Sequence, residues 1–161
     1  MSLVKRALEE QLAQGFAYTE DFVCVNCVED EALKDAISSN LSSKVSCTFC
    51  GNPSAASLDV LIEAFLVGLY HEYGDADDEL APYQSSEGGY LIQTYDTGDL
   101  LEEFGEVLSG DGLFEAVGNL LNERVWVERD WMVLRRDIAL RHAWNEFAET
   151  IKYKTLSLIH I

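Results

Sequence analysis

Leu3, Val4, Leu8 and Leu12 recur at helical spacing with Lys5, Glu9 and Glu10 between them, so residues 2 to about 17 read as an amphipathic helix. Phe22 to Cys27 and Val45 to Phe49 are short and β-prone, and the charged stretch from Glu29 to about Asn40 between them reads as a small helix. The strongest helical pattern opens at Pro53-Ser54. Its broad apolar face comprises Leu58, Leu61, Ile62, Phe65, Leu66, Leu69 and Tyr73, widened by Val60, Ala64 and Val67, which predicts a helix central to the core that Gly74 terminates.

Asp75 to Gly89 then reads as a long acidic loop, and Tyr90 to Tyr95 as a strand before the turn Asp96-Thr97-Gly98. Two helices are predicted over Asp99 to Leu108 and Leu113 to Asn122, separated by the Gly110-Asp111-Gly112 break. After Arg124 to Trp131, a last amphipathic helix is predicted from about Val133 to Tyr153. Leu134, Ile138, Ala139, Trp144, Phe147 and Ile151 are its expected buried positions. The final six residues, Leu156 to Ile161, are identical to one reading frame of a transposase adapter used in short-read sequencing libraries. They are therefore set apart as a non-native tail, and His160 is given no functional weight.

With 161 residues, 48% of them apolar, the chain can bury one independent core, and the expected fold class is α+β, predominantly helical. No run of about 18 apolar residues occurs and the start lacks a secretory h-region, so the expected location is the cytoplasm. There, two close cysteine pairs point to metal rather than disulfides.

Cys24-x2-Cys27 and Cys47-x2-Cys50 have the two-knuckle spacing of a structural zinc site with four cysteine ligands, which defines a small zinc-ribbon-like subdomain over about 22–51. Gly51 gives the second knuckle the backbone freedom a tight turn needs. Val28 stands at the equivalent place in the first, which predicts a looser turn. Four thiolates fill the tetrahedron around Zn2+ and leave no position for water, so the metal's expected role is structural. Unligated thiols, disulfides or an iron-sulfur cluster are the competing readings.

Eleven basic against 29 acidic side chains give a formal charge of −18, which repels nucleic acid and anionic membranes and leaves a protein as the expected partner. The loop 75 to 89, with Tyr83 and Tyr90 read as exposed, is the candidate contact surface. Glu102, Glu103 and Glu106 form a carboxylate cluster that fits the polar face of a surface helix. His71 fits a favourable contact with a helix C-terminus. No catalytic residue is assigned. Arg136-Asp137 and His142 resemble the Arg-x4–6-His signature of HEPN-superfamily ribonucleases, which would make a metal-independent ribonuclease. Six helical positions turn about 600°, however, so the two side chains do not share a face. A zinc-ribbon nucleic-acid binder is the other alternative.

An early CxxC, a second CxxCG at Cys47 to Gly51, the long apolar helix, Trp126-Val127-Glu128-Arg129-Asp130, Ala139-Leu140, Trp144, Phe147 and Lys152 to Thr155 together resemble the HEPN/RES N-terminal domain, over most of residues 3 to 155. The resemblance implies a bacterial accessory module ahead of a RES or HEPN toxin effector, the RES effectors being NAD-degrading. It implies a natural chain that continues past Thr155, and a protein partner that is an antitoxin, a regulator or its own C-terminal effector domain. The family's cysteines map onto Cys24, Cys27, Cys47 and Cys50; no NAD site maps onto this chain.

Overall fold

The computed structural model describes residues 3–129 and, beyond them, 141, 143–145 and 147. Met1–Arg129 forms one compact unit and Asp130–Ile161 a second. The first unit mixes helix and sheet.

Its first helix, α1 (Leu3–Gln14), carries the expected apolar stripe, yet Leu8 and Leu12 face solvent at 54% and 56% exposure. Gly15, at φ +91°, turns the chain out of α1, and Phe16 then bridges to Leu121. β1 (Phe22–Val23) follows, then a 3-10 turn over Val25–Cys27. In α2 (Glu31–Ser38) the Asp30 side chain accepts a hydrogen bond from the Leu33 amide, as an N-cap should. The expected strand over Val45 to Phe49 is instead irregular chain and turn.

β2 (Ala56–Ser57) pairs antiparallel with β1, and only then does α3 (Leu58–Glu72) begin, capped by the Ser57 hydroxyl. The predicted start at Pro53-Ser54 is therefore early, and β2 occupies the chain just ahead of the helix. Pairing with Phe22 and Val23 holds Ala56 and Ser57 extended, and the next cap residue, Ser57, takes over. Leu58, Leu61, Ile62, Phe65, Leu66 and Leu69 are buried as the pattern predicted, whereas Val67 is exposed. Gly74 does not end this helix. The chain leaves α3 at Tyr73, in extended conformation, and enters β3 (Tyr73–Asp75). Gly74 leaves room there for the Glu79 side chain, which any Cβ would overlap.

The segment 75–89 is not an open loop. Ala76 and Ala81 bury against Val127, and β4 (Tyr83–Gln84) and β5 (Gly89–Tyr90) form a hairpin. Tyr90 is half-buried, packs on that small cluster and donates its hydroxyl to Asp77 at 2.8 Å, so only Tyr83 of the expected exposed pair is freely exposed. The Asp77 carboxylate, by accepting that bond, holds the Tyr90 phenol above its usual pKa. The strand predicted over Tyr90 to Tyr95 is divided between β5 and β6 (Tyr95–Asp96).

Asp96 and Asp99 build a reciprocal capping box at the start of α4 (Thr97–Phe104), and a 3-10 turn over Gly105–Val107 continues it. α5 (Leu113–Leu120) starts after Gly112, whose φ of +72° makes the break that the sequence marks. β7 (Val125–Glu128) is the middle strand of an antiparallel sheet, β3-β7-β6. One core runs from Val23 and the cysteines through α3 to Leu100, Leu113, Val117 and Trp126.

Most of the helix predicted over Val133 to Tyr153 lies outside the described residues, as do residues 156–161. Trp144 and Phe147, expected to be buried, are exposed, with their rings 5.9 Å apart.

Candidate metal centre

The four cysteines converge. Cys24 precedes the 3-10 turn and Cys27 closes it, with the Cys27 amide donating to the Cys24 carbonyl at 3.1 Å. This first knuckle turns without any left-handed residue; Val28 leaves it extended and bridges to Leu108. The second knuckle closes through the Gly51 amide to the Cys47 carbonyl at 2.9 Å, and Gly51 takes φ +74°, as a glycine turn requires. The two knuckles are tied together away from sulfur. The Thr48 amide donates to the Phe22 carbonyl at 2.8 Å, and the Phe22 amide donates to Thr48 Oγ1 at 3.0 Å.

The sulfurs stand 3.8 Å apart for Cys24 and Cys27, 3.7 Å for Cys27 and Cys47, and 3.3 Å for Cys24 and Cys50, and all four lie within 4.8 Å of one another. Four thiolates at about 2.3 Å from one zinc ion have edges of about 3.8 Å, whereas a disulfide brings two sulfurs to about 2.05 Å. The spacing therefore fits a shared ion, and the four cysteines lie within metal-binding distance. Cys24, Cys27 and Cys47 are buried and Cys50 is exposed, which leaves one corner open to solvent exchange.

Burial pushes the Cys24 and Cys27 thiols up. At Cys47 burial also pushes upward, but hydrogen bonds from the backbone at Cys50, Phe49 and Cys24 outweigh it and bring the thiol down to about 7. Such amide donors are what a sulfur carrying negative charge needs. A divalent cation would supply the remaining stabilisation and ionise its companions.

Gly110 is a part of this centre that the sequence pattern marked only as a helix break. Its amide donates to the Cys27 carbonyl at 2.9 Å, and a Cβ there would stand 2.8 Å from Cys27 Cβ and 3.1 Å from its Sγ. Only contact with a distant cysteine gives the position this meaning. The Cys47 amide is likewise held by the Asn52 carbonyl at 2.8 Å.

The other candidates remain apart from the cysteines. Glu102, Glu103 and Glu106 are all exposed on and just after α4, and His71 is exposed in the last turn of α3. Arg136 and His142 lie outside the described residues.

A mixed helix-and-sheet domain whose four cysteines close on one point is, as a class, a domain with a candidate metal centre. The family comparison is more particular: the model of HEPN/RES N-terminal domain 1 matches residues 40–158, and the chain belongs to that family. The match takes in Cys47, Cys50 and Gly51 but begins after Cys24 and Cys27. The first pair is thus joined to the second by geometry rather than by the family match, which is shorter than the resemblance over residues 3 to 155 implies. No curated protein and no solved structure matches the chain. Among the described residues no helix is long and apolar enough to cross a membrane.

Proposed function

We propose that this chain is the non-catalytic, zinc-stabilised recognition and regulatory domain of a bacterial toxin-type protein of the cytoplasm, acting beside a RES NAD-degrading or HEPN effector. The observation that supports it is the convergence of Cys24, Cys27, Cys47 and Cys50 from two knuckles, within a member of a family of accessory domains. Four thiolates around Zn2+ leave no ligand position for chemistry, so the ion's binding free energy goes into folding. The partner is a protein: an antitoxin, a regulator or the effector itself. A formal charge of −18 turns away nucleic acid and anionic lipid alike.

The test is metal analysis and turnover on one preparation of the full chain. One zinc per chain, with NAD+ and RNA left intact, is the expected result. Folded protein without stoichiometric metal and with four titratable thiols would overturn the zinc assignment, and turnover of either substrate would overturn the non-catalytic one.

A further inference from the structure

Between α2, α3 and the turn that follows α4, the surface opens into a groove of about 340 Å³. Leu33, Phe65, Leu69 and Val107 give it an apolar lining. Gly68 also lines it, from the interior of α3, and a Cβ at Gly68 would meet nothing within 4 Å. A glycine inside a helix costs about 1 kcal/mol against alanine, and here the position has ample space for a side chain. What the glycine does is keep one wall low, so that another chain can come close to α3.

The groove's polar groups are acidic. Asp30 and Glu72, both exposed, share its lining, and Glu29 flanks Asp30 in sequence, while the neighbouring Glu31 is paired with Lys34 at 2.8 Å. The walls are also clamped to the cysteine centre, because the Glu29 amide donates to the Val107 carbonyl at 2.8 Å and Val28 bridges to Leu108. α2 is thereby anchored at the end from which the groove begins.

We propose that this groove docks a short segment of another protein, one that inserts a single aliphatic or aromatic side chain and lays a lysine or arginine beside it. The inference rests on the partner-recognition reading above and names the surface and the chemistry of the partner. Charge selects the occupant: a second copy carries the same −18, and phosphate-bearing ligands meet the same repulsion. A cationic segment gains long-range attraction from that field, and its apolar anchor gains burial in the groove.

The test selects random peptides of about 12 residues, by display, on the immobilised full chain, with Gly68→Leu protein for counter-selection. Leucine is a better helix former than glycine and has open space at this position, so Gly68→Leu should fold and melt no lower than the unaltered chain. Retained peptides are expected to share one large apolar residue with a lysine or arginine within a few positions. Their affinity should fall about tenfold with Gly68→Leu and about threefold with Glu72→Gln, the second loss fading at about 0.5 M salt. Peptides lacking a basic residue, or binding Gly68→Leu as tightly as the unaltered chain, would overturn the proposal. So would a dimer in sedimentation that Gly68→Leu dissociates, since the occupant would then be a second copy. No retained peptide from a folded, zinc-loaded protein defeats the groove alone, whereas turnover of NAD+ or RNA defeats the non-catalytic reading and leaves the peptide result standing.

Discussion

The N-terminal end of α3 emerges from a region in which strands are two residues long, β1 against β2, and in which the chain between Ser38 and Ala55 is irregular apart from one isolated bridge. Its C-terminal end runs directly into β3, and so into a sheet whose central strand buries Trp126 and Val127 almost completely. The first region has three buried sulfurs where the second has Tyr73, Trp126 and Leu100. Apolar area and ladder hydrogen bonds hold the sheet side. On the clasp side the turns carry little of either, and under the zinc assignment proposed above a shared ion would replace what side-chain burial does elsewhere.

The largest effect expected from this difference is an uneven response to chelation. With metal stripped, the amides of Cys27, Thr48 and Gly51 should lose hydrogen-exchange protection while Trp126 and Val127 keep theirs. The hydrogen bonds those clasp amides make, to Cys24, Phe22 and Cys47, depend on knuckles that four unpaired thiols do not hold closed. Equal loss at Val127 would break the comparison, because the continuous core that joins the cysteines to Trp126 would then unfold as one unit.

The sheet side has its own keystone, and it is polar. Thr97 is buried, donates its hydroxyl to the Asn122 carbonyl at 3.0 Å, and accepts from the Arg124 amide at 3.0 Å and from Trp126 Nε1 at 3.1 Å. One oxygen thus fixes the entry to β7 against the start of α4. Thr97→Val keeps the shape and removes the oxygen, leaving the Trp126 indole N–H buried without this partner. A loss of about 1 to 3 kcal/mol in denaturant unfolding is expected. Thr97→Ser should retain most of the stability, and metal content should not change in either variant. If Thr97→Val lost metal as well, the two regions would be less separate than their packing indicates.

The convergence of the cysteines was the more legible half, because each pair lies within one local turn and the spacing alone suggests it. Most of the apolar face of α3 was legible for the same reason, as a repeat along one element. What could not be read was set by contacts between distant segments. Pairing with β1 delays the start of α3, the Cys27 carbonyl gives Gly110 its role, and burial against Val127 folds residues 75–89 into a packed turn and hairpin. The apolar stripe of α1 was visible, but Leu8 and Leu12 remain in solvent, since a pattern states that a face is apolar and not what covers it.

The smallest expected effect sharpens the comparison at the edge of the sheet side. Leu80 has φ +52° and is 84% exposed, in the turn where the Ala81 amide donates to the Ala76 carbonyl at 2.9 Å. A leucine in the left-handed region costs about 1 to 2 kcal/mol, and this one returns little by burial. Asparagine tolerates that conformation, so Leu80→Asn should raise stability by up to about 1 kcal/mol, read as a melting temperature about 2 to 4 °C higher. Leu80→Ala removes the same exposed side chain but keeps a Cβ in the strained conformation, and it should give no such gain. Were both variants equally stabilising, the cause would be the loss of an exposed apolar group rather than the backbone, and the turn at 76–81 would not be paying for its packing against Val127 with strain.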